Sequence, residues 1–143
     1  MGTRTLMLAL MTIATAACGD PRRSMSQLAP PPGDAEHGRT VFVDMRCNAC
    51  HRVAGDNLAA PVAEPAVEVM LGGRIARVKT DGALADSIVN PSHRIAYERR
   101  NEARAGTLSR MPDYKEAMTV AELADLVAYL QTKYELVDPP ITY

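Results

Sequence analysis

The apolar residues divide the chain into three stretches. Residues 6–17, LMLALMTIATAA, form one uncharged, mostly apolar run, and residues 20–33, DPRRSMSQLAPPPG, have no period and close on three prolines and a glycine. From Asp34 the spacing turns helical: Gly38, Val41, Phe42 and Met45 fall three and four apart on one face, behind an N-cap candidate, Asp34, and a first-turn acid, Glu36. This helix is expected to run straight into Cys47. The Ala-, Gly- and Pro-rich residues 52–73 predict a loop with a short helix at 66–71, and DGALADSIVNP (81–91) predicts a two-turn helix capped by Thr80 or Asp81 and stopped by Pro91. A further helix is expected over 96–105. The last is the clearest: Thr119 caps it, Glu122 completes a capping box, and Leu123, Leu126, Val127 and Leu130 make an apolar stripe. With no strand pattern and no internal repeat, the expected class is all-α.

Composition narrows the possibilities. The 143 residues suit one domain with a real core. Aromatic residues are only 4% of the chain, with no Trp and one Phe, so other bulk must fill the interior, a bound macrocycle being one way. The net charge of −1 argues against a nucleic-acid binder. Locally the charge is split, with eight basic against four acidic residues over 74–110 and two against six over 111–143, a dipole suited to docking on a charged partner. There is no Gly-rich phosphate loop and no nucleophile–base constellation, so no enzyme is expected.

The chemistry is concentrated in Cys47-Asn48-Ala49-Cys50-His51. A dithiol redox pair expects a βαβ setting, which the pattern lacks. A structural zinc site needs four ligands; the motif offers three, adjacent Cys50 and His51 close poorly on one small ion, and His37 and His93 are isolated. Covalent haem attachment uses all three residues, two thiols adding to the porphyrin vinyls and the next imidazole facing iron.

On these residues the chain resembles the class I monohaem cytochromes c over residues 34–134, a helical fold wrapped around one covalent haem c. The resemblance implies that Cys47 and Cys50 are the thioether cysteines and His51 the proximal ligand. It makes Met111, in SRMPDYKEAM, the second axial ligand, and Pro61 the residue whose carbonyl accepts the histidine Nδ1–H, although Ala60 stands where the family usually has Gly. Of the other methionines, Met45 lies in the first helix, Met70 reads as packing and Met118 abuts the last helix; His93 is the rival ligand, but reads better as a surface histidine or one that supports the site from behind. The resemblance also implies close packing of Gly38 and Phe42 against Leu126 and Tyr129, and arginines between positions 74 and 110 near the haem propionates. With both axial positions filled, the function implied is single-electron transfer between a donor and an acceptor redox protein, with no small-molecule substrate. A permanent haem subunit of a larger oxidoreductase and a haem-based small-ligand sensor are the alternatives.

Residues 1–17 read as an export signal, with Arg4 ahead of the apolar run. Ala16-Ala17-Cys18-Gly19 resembles the bacterial lipobox, with Thr15 where Leu is more usual, so Cys18 is the expected lipidation site and first mature residue. Cleavage after Ala16, giving a soluble periplasmic protein, is the alternative. The expected layout is a signal over 1–17, a tether over 18–33, the haem domain over 34–136 and a tail over 137–143, on the periplasmic side of a bacterial membrane.

Overall fold

Asp34 starts the first helix as its residue type suggests. Its Oδ1 accepts from the amides of Glu36 (2.8 Å) and His37 (3.1 Å), two donors that have no partner within the helix. The helix, α1, spans Ala35–Asp44 and buries Gly38, Val41 and Phe42. The computed structural model describes residues 30–59, 67–95 and 101–137.

α1 does not run directly into Cys47. Met45 caps it, and Arg46 adopts a left-handed backbone, φ 58°. The chain then enters a 3-10 turn, Cys47–Ala49, and a strand, β1, His51–Val53. β1 pairs in parallel with β2, Val69–Leu71, in the register His51 with Val69, Arg52 with Met70 and Val53 with Leu71. This strand replaces the helix expected at 66–71. Val69 and Leu71 alternate with Glu68 and Met70, and β1 supplies the partner that lets this alternation be satisfied as a strand.

After β2 the chain passes close under the end of the last helix. Gly72 sits at φ +82°, and a β-carbon there would lie 2.7 Å from the Lys133 carbonyl oxygen, so both conformation and space require glycine. β3, Gly73–Ile75, pairs in parallel with the final strand, β6, Tyr134–Leu136. Between them lie α2, Asp81–Val89, and a hairpin of β4, Arg104–Ala105, and β5, Leu108–Ser109. Thr80 caps α2, accepting from the Ala83 amide at 3.2 Å, and the helix ends ahead of Pro91 as expected. The helix expected over 96–105 is not found in its described part: 101–103 are turn and bend, and β4 follows. Gly106, at φ +65°, lets a two-residue loop reverse the chain there. Among the described residues, six short strands therefore qualify the all-α expectation, while three α-helices remain the frame.

The last helix, α3, Val120–Gln131, carries the full capping box: Thr119 Oγ1 accepts from the Glu122 amide, and Glu122 accepts from the Thr119 amide at 2.8 Å. α3 crosses α1 at Gly38, where a β-carbon would collide with the Asp125 carbonyl. Phe42 meets the Tyr129 ring edge-on at 5.7 Å. Phe42, Leu126 and Tyr129 are almost wholly enclosed, each contributing about 1.5–3 kcal/mol of burial. Leu84, Ala85 and Ile88 of α2 complete this core. Among the described residues no helix is long and apolar enough to cross a membrane.

Candidate functional site

The corner where α1 ends is built by hydrogen bonds of its own turn. The Ala49 amide donates to the Arg46 carbonyl (3.0 Å) and the Cys50 amide to the Cys47 carbonyl (3.2 Å), which brings Cys47, Cys50 and His51 round a single bend. Cys47 is buried and Cys50 exposed, and neither is in a disulfide. Burial pushes the Cys47 thiol up to about 11, so it is protonated at neutral pH.

His51 opens β1 with its ring mostly enclosed. Its Nδ1 is buried and has no hydrogen-bond partner among the described residues. Burial holds the imidazole below its ordinary value, the Val69 backbone acting weakly the other way. The ring is therefore neutral near pH 7, the state in which an imidazole can bind a metal.

Two side chains inside the motif tie it to its surroundings. Asn48 Nδ2 donates to the Ala59 carbonyl (3.2 Å). Arg52 Nη1 donates to the Asn48 carbonyl (2.9 Å), while Nη2 pairs with Glu68 Oε2 (3.0 Å). β2 is tied to the corner as well, its Val69 amide donating to the Cys50 carbonyl at 2.9 Å.

The segment holding Met111 is pinned from both sides. The Met111 amide donates to Ser109 Oγ (3.1 Å), and three residues later the Tyr114 hydroxyl donates to the Met45 carbonyl (3.2 Å) at the end of α1. Burial raises the Tyr114 phenol, and the two thiols, once ionised, add to the rise. Met111 itself is half-buried.

The other methionines are placed differently. Met45 and Met118 pack against the core. Met70 is 58% exposed rather than a packing residue, because it sits on β2 opposite Arg52, on the face away from His51. His93 is exposed in the turn after α2. Pro61 and Cys18 lie outside the described residues. No cluster of three or more His, Cys, Asp or Glu suited to a metal ion occurs among the described residues. Asn48, Arg52 and Tyr114 escaped the sequence reading; only Tyr114, a ring near Met111 in a chain of few rings, left any trace in it.

The sequence pattern of the cytochrome c family matches residues 35–133, from the start of α1 to just past α3. The chain belongs to the cytochrome c family. Its cofactor is covalently attached haem c. A cytochrome c from Tetrahymena pyriformis is 45% identical over 51 residues, 36% of this chain and 38% of that protein, so the chain matches well under half of the relative's length. No solved structure matches significantly. Haem-based electron transfer is the family's chemistry, and its members are electron carriers rather than enzymes. The corner fits this cofactor. Two unbridged thiols about one turn apart precede a neutral imidazole whose Nδ1 is buried and unpartnered among the described residues.

Proposed function

We propose that this cytochrome c is a membrane-tethered single-electron carrier on the periplasmic side of a bacterial membrane. Cys47 and Cys50 hold the haem through thioethers, and His51 and Met111 are its axial ligands. Bound there, the haem supplies an iron that exchanges one electron between ferrous and ferric states.

His51 carries this reading: a neutral imidazole directly after two unbridged cysteines, with Nδ1 buried and unpartnered among the described residues. A ligating imidazole uses one nitrogen for the metal and donates from the other, and the acceptor we assign is the carbonyl of Pro61, ten residues on in sequence. Met111 is favoured for the opposite side because its segment is tied to the Cys47 corner through Tyr114, whereas Met45 and Met118 pack in the core and Met70 faces away. Filling both positions leaves no place for a substrate, so the partners are a donor and an acceptor redox protein. Cys18 is the lipid attachment site and residues 18–33 the tether, which keeps the domain at high local concentration near its partners.

The visible and near-infrared spectrum of the matured protein tests the site. The ferric form is expected to show a methionine-to-iron band that Met111→Ala abolishes; a band that survives the substitution rejects Met111 as ligand. For the anchor, Cys18→Ser is expected to move the protein from the membrane to the soluble fraction, and unchanged partition rejects lipid attachment.

A further inference from the structure

Arg52 is the residue directly after His51, and its guanidinium folds back over the attachment turn. Nη1 donates to the Asn48 carbonyl at 2.9 Å and lies 3.5 Å from the His51 carbonyl oxygen. Nη2 sits 3.0 Å from Glu68 Oε2, on the approach to β2. One planar cation thus joins the turn, the His51 strand and the segment leading into the neighbouring strand, in a fixed fork geometry that a lysine's rotatable ammonium does not impose. Asn48, which receives the guanidinium on its carbonyl, is fixed in turn by its own amide on Ala59.

We propose that Arg52 is a positioning residue for His51 and that the Arg52–Glu68 pair sets the midpoint potential of the haem. This rests on the haem reading above. Ferric haem carries one more positive charge than ferrous, so a fixed cation beside the ligand strand disfavours oxidation and a carboxylate favours it. In the native protein the two charges oppose each other in their effect on the iron, and each substitution removes one of the two contributions. The side chains are 32% and 53% exposed, so the influence is screened by salt and neither substitution empties the core.

The experiment is potentiometric titration of the haem-bearing full chain at low and high ionic strength. Arg52→Gln is expected to lower the midpoint potential and Glu68→Gln to raise it, with both shifts contracting in salt and the double variant falling between them. Arg52→Lys keeps the charge but not the fork. It is expected to hold the potential near the native value while loosening the His51 strand, read as faster amide hydrogen exchange at residues 51–53. A purely structural brace gives single variants that shift together or not at all, and either result overturns the proposal. Should Arg52→Gln lose its haem, Glu68→Gln decides alone: an upward shift supports the proposal and an unchanged potential overturns it. A chain that matures without thioether-linked haem defeats the carrier reading itself. A haem-bearing chain indifferent to both charges defeats only this inference.

Discussion

A β-carbon added to Gly38 would run into the Asp125 carbonyl and lie 2.9 Å from the Tyr129 β-carbon, so the two helices approach as closely as they do because this side chain is absent. Gly38→Ala, which improves helix propensity on an open surface, is here expected to destabilise by about 1–3 kcal/mol, because backbone rather than a flexible side chain must yield; a denaturant titration measures it. Asp56 is a second residue on which several others depend. Its carboxylate, only 8% exposed, accepts from the Tyr129 hydroxyl (2.8 Å) and pairs with Arg39 (2.9 Å) and Lys133 (3.1 Å). These partners, Arg39 foremost, hold its carboxyl far below the usual carboxylate range, against the opposing cost of burial. Asp56→Ala leaves the Tyr129 hydroxyl without its acceptor and is expected to cost on the order of 1–3 kcal/mol in the same titration. Neither the Gly38 collision nor the Asp56 cluster can be counted from sequence. The small residue at position 38 was legible as a crossing point, but Asp56 reads as one loop acid among many until Arg39 and Tyr129 are seen to converge on it.

Among the elements, the helices carry their own start signals and the strands do not. Asp34, Thr80 and Thr119 each cap through a side-chain oxygen, and such local chemistry is visible in one turn of sequence. Each strand is only two or three residues long, too short for an alternation to declare itself, and β1, β2, β3 and β6 are defined by partners distant in the chain, while β4 and β5 need the turn at Gly106. That is why the described parts of the two expected helices, 67–71 and 101–105, are not helical. α1 and α3 are also joined by a titratable link, His37 Nδ1 to Asp125 Oδ2 at 2.7 Å, with the Asp34 amide on the other carboxylate oxygen. The hydrogen bond that the imidazole donates to Asp125 raises His37 above its ordinary 6.5, and the same bond leads in depressing Asp125. The raised histidine gives stability that is complete below its unfolded value and lost as pH rises through its folded value. The depressed aspartate gives stability present above its unfolded value and lost as pH falls through the folded one. The link is therefore strongest in mildly acidic solution, and His37→Asn is expected to flatten the fall in melting temperature between about pH 6 and about pH 8, measured by circular dichroism.

Across the whole molecule, the five-residue motif proposed as the attachment site is the most legible string, because covalent attachment would fix residue types and spacing in one short stretch. Its braces were not legible, since Arg52, Glu68, Asn48 and Tyr114 act through contacts that bring sequence-distant segments together. The apolar core is small, centred on Phe42, Leu126 and Tyr129, and a bound macrocycle adds apolar contact to it. A chain with both Cys47→Ala and Cys50→Ala, unable to hold haem covalently, is expected to melt at a lower temperature than the haem-bearing protein, and equal melting points would reject this contribution. The entry of the chain into the domain has a mechanical consequence. Gly33 lies directly against the Ala124 and Asp125 backbone, and the Asp34 amide is held by Asp125 at 2.7 Å. The corner at Cys47 is at the other end of the ten residues of α1, about 15 Å along its axis. Under the tether proposed above, a tug on the leading segment would be borne first by the join between the two long helices, and the proposed grip on the iron would be insulated from the leash.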